Sequence, residues 1–207
     1  MTRLPLSDLG YRVAFCDPAA GKSLNLKRVR ARSAIVVVAQ DTWGRIFTLL
    51  AWAARCSTDA LTAKLFEVNE TFTPRSFGIE SNAMQSLYGD MVGREARFRE
   101  RRVPILEVRQ PTNVEKDWRI RTVLQPVIGN GRLFLQSSHL ELRAELVNFP
   151  MSPTKDLVDA LASAIAMLPT VQIRRERDGE LEARLAYLRE TGAPMEYIQQ
   201  VARGQGA

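Results

Sequence analysis

Residues 11–18 read YRVAFCDP, and this run decides the fold. Its aromatic and β-branched content is that of a strand, and it stops abruptly where Pro18 withdraws a backbone donor and biases Asp17 away from helix. Asp17 is thereby set at a strand end. Downstream, a polar and basic stretch from Gly21 carries Lys22, Lys27, Arg28, Arg30 and Arg32. Strand-like runs follow at Ala34–Gln40 and Ile46–Ala53, separated by the turn residues Asp41-Thr42-Trp43-Gly44. Three consecutive strands read as an antiparallel meander.

Beyond the meander, strands alternate with helices. Ser57 or Thr58 caps a helix running to about Asn69, with Leu61, Leu65 and Val68 on one face. Phe77–Glu80 forms a brief strand ending in a carboxylate, and Asn82 caps a helix with Met84, Leu87, Tyr88 and Met91 at helical spacing. Val103–Val108 reads as a strand, Val114–Leu124 as an amphipathic helix, and Val127–Leu135 as a hairpin turning at Asn130-Gly131. Helices at His139–Phe149 and Pro153–Leu168 complete the pattern. The expected architecture is α/β, a mixed central sheet with an antiparallel meander flanked by helices. After Pro169 the chain becomes charged and lacks strand pattern, which predicts a domain over 1–170 and a partly helical tail over 171–207, with Leu181, Leu185 and Leu188 on one helical face.

Composition narrows the function. With 207 residues, 45% hydrophobic and 25% charged, the chain can bury a core without a disulfide or metal staple. No stretch approaches the ~20 apolar residues of a membrane span, and the start lacks the apolar core of a signal peptide, so membrane insertion and secretion are not expected. Two cysteines and one histidine cannot build a Cys/His zinc site, and one histidine leaves little for a Ser/His/Asp arrangement. The balance of 29 basic against 23 acidic residues, net +6, favours an anionic partner.

Gly21-Lys22-Ser23 resembles the end of a phosphate loop, but Cys16 stands where that pattern requires its first glycine. Lys22, Lys27 and Arg28 read instead as contacts for a polyanion beside the Asp17 strand end, or as a solvated loop. Lys116 and Arg119 are assigned to phosphate contact, and Trp118 between them to the core. Trp43 and Trp52 are given packing roles. The run from Arg94 to Arg102, with Glu95 and Glu100 interspersed, reads as a salt-bridged helix face.

The acids are more informative in combination than singly. Asp17 and Glu80 end strands, and Asp156 and Asp159 open a helix kept slim by Ala160 and Ala162. If the two strands are neighbours and the helix crosses them, the carboxylates converge. Like charges ~4 Å apart repel by roughly 1 to 4 kcal/mol per pair, so such a cluster calls for divalent cations or raised pKa values. Oxygen-only ligands suit Mg²⁺ or Mn²⁺, and a pair of such ions suits phosphodiester hydrolysis, to which flanking Lys and Arg would draw a nucleic acid.

Asp17 at the end of the first strand, Ile79-Glu80-Ser81-Asn82 and Lys155-Asp156-Leu157-Val158-Asp159-Ala160 together resemble the ribonuclease H-like nuclease domain of the large terminase subunit of tailed bacteriophages. The likeness continues at Lys116-Asp117-Trp118-Arg119-Ile120, at Pro126–Phe134 and at Glu145-Leu146-Val147-Asn148-Phe149-Pro150, and spans about Tyr11 to Leu168. It implies a metal-dependent endonuclease using one or two Mg²⁺ or Mn²⁺ ions. Such an enzyme cuts concatemeric double-stranded viral DNA in the host bacterial cytoplasm, alongside an ATPase motor, a small terminase subunit and a portal. The resemblance matches Asp17 and Glu80 to the first two metal-binding acids. Asp156 is the closest match to the third, with Asp159 an alternate or supporting ligand, because Lys155 stands where members carry an adjacent acid. No second α/β domain fits in 207 residues, so the chain reads as a nuclease domain apart from its motor. Two further readings stay open: a catalytically silent ribonuclease H-like module that binds DNA or docks a partner, and a Holliday-junction resolvase on the same fold.

Overall fold

A strand covered by helices on both faces reads as a nearly continuous apolar run, and β2 (Ser33–Gln40) is buried at all eight positions, with Ala34–Ala39 apolar throughout. The computed structural model describes residues 10–19, 32–81, 89–110, 113–169, 185–192 and 194–202. β1 (Tyr11–Asp17) and β3 (Ile46–Ala54) flank β2, both antiparallel to it, which is the expected meander. Its second turn is held by Asp41, whose Oδ1 accepts from the Trp43 and Arg45 amides while Gly44 takes a φ of 73°. β4 (Ser76–Glu80) adds parallel to β1, β5 (Ile105–Val108) parallel to β4, and the short β6 (Leu133–Phe134) parallel to β3. The strand order is β5-β4-β1-β2-β3-β6.

Side chains alternate across this sheet and feed two cores. On one face Ala14, Cys16, Ile35, Val37, Phe77 and Ile79 meet Leu61, Leu65 and Phe66 of α1 (Thr58–Phe72) and Val92 of α2 (Gly89–Phe98). On the other, Val13, Phe15, Val36 and Val38 meet α3 (Lys116–Gly129), α4 (Leu140–Val147) and α5 (Asp156–Ala166), through Ile120, Leu124, Leu142, Leu157 and Leu161. Each such side chain contributes about 1.5–3 kcal/mol by leaving water. Helix α5 is buried from Leu157 through Ile165, and its alanines let it lie close on the sheet. Gly78 serves the same face: a Cβ there would meet Met167 and stand 2.7 Å from Phe15 Cδ2.

Several expectations are corrected. Residues 127–135 are not a hairpin. Helix α3 continues through Pro126 to Gly129, and Asn130-Gly131 ends it. The Gly131 amide reaches the Ile128 carbonyl at 2.9 Å and the Arg132 amide the Val127 carbonyl at 2.9 Å, with Gly131 at φ 63°, a Schellman stop rather than a strand turn. Trp118 is 60% exposed rather than in the core, because it lies two residues before Ile120, about 200° around the helix from the buried line of Ile120 and Leu124. The strand expected at Val103–Val108 begins at Ile105, and the acidic helix at Asp156 rather than Pro153. Ser57 caps α1 as expected, accepting from the Ala60 amide at 3.2 Å.

The basic segment with Lys22, Lys27 and Arg28, and the Asn82 cap, lie outside the described residues. The chain forms two compact units, Met1–Thr170 and Val171–Ala207, and in the second the described residues include the helix Met195–Ala202.

Candidate metal centre

Strand pairing assembles the first half of the site. Cys16 pairs with Ile79 in the parallel β1–β4 ladder, so Asp17 and Glu80 each follow that pair by one residue and leave neighbouring strands at the same end. Cys16 and Ile79 belong to the α1 face; alternation turns Asp17 and Glu80 to the opposite face, where α3 and α5 pack. The first turn of α5 supplies the other half. Asp156 and Asp159 are three apart and so lie on one side of that turn.

The electrostatics couple Asp17 to the charges of the other three acids. The Asp17 carboxyl is pushed up from 3.8 to about 7, by burial above all, and further by the charges of Asp159, Glu80 and Asp156, against the pull of Lys116. Lys116 is held above its ordinary range: burial pulls it down, but Asp159, Asp17 and Asp156 more than offset that.

What stands among the acids is cationic side chains. Lys116 Nζ lies 2.8 Å from Asp159 Oδ2, and Arg119 Nη2 lies 2.6 Å from Asp159 Oδ1. Asp156 Oδ2 accepts from Arg32 Nε at 3.2 Å, and Lys155 turns to Asp117, 2.6 Å away. Among the described residues, no three His, Cys, Asp or Glu side chains are gathered tightly enough to hold one ion. The donor chemistry nonetheless fits a hard divalent cation: the acids whose charges act on Asp17 are all carboxylates, and lysine and arginine now pair with Asp159 among them. Asp17, Glu80 and Asp156 or Asp159 are the residues that could hold it, once Lys116 and Arg119 release Asp159.

The charges of Glu80, Asp156 and Asp159 thus all act on Asp17, and Lys116 and Arg119 pair with Asp159. Sequence reasoning assigned no role to Arg32 or Glu145. Arg32 binds Glu141, Glu145 and Asp156 at once, and the buried Glu145 accepts from the Leu157 and Val158 amides at the start of α5. The available signal was the Glu145–Pro150 fragment, whose likeness was visible without its purpose.

The chain matches no protein-family model and no curated protein sequence. Among solved structures it is similar to the nuclease domain of the P22 large terminase, with a TM-score of 0.52 and 12% identity over 78% of this chain and 81% of that one. It is also similar to a mutant nuclease domain of the large terminase subunit gp2 of bacterial virus Sf6, solved with manganese and β-thujaplicinol, at TM-score 0.48 and 11% identity over 79% of this chain and 90% of that one. A third match is T. thermophilus RuvC in complex with Holliday junction substrate, at TM-score 0.41 and 16% identity over 75% of this chain and 90% of that one. The likeness to the P22 domain establishes the fold, a ribonuclease H-like one.

Proposed function

We propose that the chain is a Mg²⁺- or Mn²⁺-dependent endonuclease, the nuclease domain of a phage DNA-packaging terminase, hydrolysing phosphodiester bonds of double-stranded viral DNA. The observation that carries this reading is the placement of Asp17 and Glu80 at the same end of the neighbouring strands β1 and β4, with the charges of Asp156 and Asp159 from the start of α5 acting on Asp17, on a fold similar to that of the P22 terminase nuclease domain. A divalent ion bound there would supply an activated water and charge neutralisation at the scissile phosphate. Asp17 and Glu80 anchor the site from the sheet, and Asp156 and Asp159 complete it from α5. Lys116 and Arg119, freed from Asp159, turn to the DNA backbone, joined by Lys22, Lys27 and Arg28. The ATPase motor, small subunit and portal are the partners this role assigns, and the host cytoplasm its compartment; among the described residues no helix is long and apolar enough to cross a membrane.

One observation favours a second reading, a catalytically silent module that binds DNA or docks a partner: the acids are engaged by lysine and arginine rather than gathered for an ion. Incubation of supercoiled plasmid and of a four-way junction with the chain and either metal, without ATP, separates the candidates. Nicking and linearising of plasmid, with no strong junction preference, supports the terminase reading. A strong preference for the junction supports a resolvase, and no cleavage under either metal supports the silent module.

A further inference from the structure

Glu145 is a buried carboxylate outside the acidic cluster, with only 3% of its surface exposed, and a buried charge persists only when fully partnered. Its four partners all lead to one place. Oε2 accepts from the amides of Leu157, at 2.9 Å, and Val158, at 3.0 Å, which are unpaired donors at the start of α5. Oε1 accepts from the Thr154 hydroxyl at 2.8 Å and from Arg32 Nη2 at 2.9 Å. The same Arg32 donates through Nε to Asp156 Oδ2. Lys155, the residue at the N-cap of α5, makes no side-chain cap bond, so the cap comes from the neighbouring helix α4.

We propose that Glu145 is a positioning residue for the metal centre. By capping α5 from across the helix interface it fixes the turn that presents Asp156 and Asp159, and through Arg32 it fixes the Asp156 carboxylate. This rests on the metal-centre reading above. A helix N-terminus needs only a short polar cap of its own, and Ser57 on α1 is one. A buried glutamate reaching in from another helix does more: it sets where α5 begins relative to the sheet that carries Asp17 and Glu80. Partners that orient metal ligands in this way are worth 10- to 100-fold in metal affinity.

The test is direct Mn²⁺ binding to the full 207-residue chain, read from the free-ion electron paramagnetic resonance signal, with plasmid nicking measured in parallel. Glu145→Gln keeps size but turns a donor toward the Leu157 and Val158 amides or toward Arg32. It should retain the far-UV circular dichroism of the parent, weaken Mn²⁺ binding 10- to 100-fold, and recover most of its nicking rate at saturating Mn²⁺. Unchanged Mn²⁺ affinity, or a lost rate that saturating Mn²⁺ does not restore, overturns the proposal. Should Glu145→Gln fail to fold, Thr154→Val decides: removing one hydrogen bond to Glu145 should weaken Mn²⁺ binding two- to tenfold, and parental affinity overturns the proposal. A parent chain that binds no Mn²⁺ overturns the metal-centre reading and this inference with it. A parent that binds, with variants that bind equally well, sinks the inference alone.

Discussion

Lys116 Nζ stands 2.8 Å from Asp159 Oδ2, and its charge acts on Asp17 and Asp156 as well, so an ammonium balances the acids that the proposed metal centre would use. On the proposed reading, metal and lysine compete for the same carboxylates. Replacing Lys116 by Met should lower the melting temperature in chelator, because the acids lose their counter-charge, by about 2–4 °C for each kcal/mol lost. Added Mn²⁺ should then raise the melting temperature of this variant more than that of the parent. An equal Mn²⁺ shift in both would show that Lys116 does not occupy the ion's place.

Asp17 gives the cluster a pH signature. Its folded pKa of about 7 lies above the ordinary 3.8, so the folded state binds its proton more tightly than the unfolded state does. Its contribution to stability is complete below pH 3.8 and is lost as pH rises through about 7. In chelator, the melting temperature of the parent relative to Asp17→Asn should therefore fall across that window, and Mn²⁺ should restore it above pH 7. A difference that stays flat with pH would place the Asp17 carboxyl in contact with water.

Asp17→Asn and Glu80→Gln remove an anionic donor while keeping shape. Each should reduce Mn²⁺-dependent nicking at least about 100-fold, since even a group that merely orients a ligand is worth 10- to 100-fold. The melting temperature of each in chelator should match or exceed that of the parent, because the like-charge repulsion is relieved. Gel assays of nicking and thermal melts check both halves.

Gly78 and Gly131 test the scaffold. Gly78→Ala puts a methyl group against Phe15 and Met167 and should lower stability by about 1–3 kcal/mol in urea unfolding. Gly131→Ala meets open space but must keep φ at 63°, and should destabilise by about 1 kcal/mol.

How much of this was legible in the sequence depends on the range of the interaction. Pro18 and the apolar run before it placed Asp17 at a strand end, and the alternation of strands and helices gave the α/β class, because both signals are local. Asn130-Gly131 misled for the same reason: the pair suits a hairpin and a helix stop equally, and α3, with Ile120 and Leu124 buried, runs on through Pro126 to Gly129. Trp118 was misplaced because one large aromatic outweighed the phase of the helix. The ion pairs of Arg32 with Glu145 and Asp156 join residues more than 100 positions apart, and no spacing in the chain announces them. The acids, Lys116 and Arg119 all stand out in the chain, but the pairing of the two cations with Asp159 and the part of Arg32 do not.

Crystals soaked in Mn²⁺ and measured at an anomalous wavelength test the central claim most directly. The account predicts at least one anomalous peak directly coordinated by Asp17, Glu80 and one of Asp156 or Asp159, with Lys116 withdrawn from Asp159. Absence of any such peak at saturating Mn²⁺, with Lys116 still on Asp159, would contradict it.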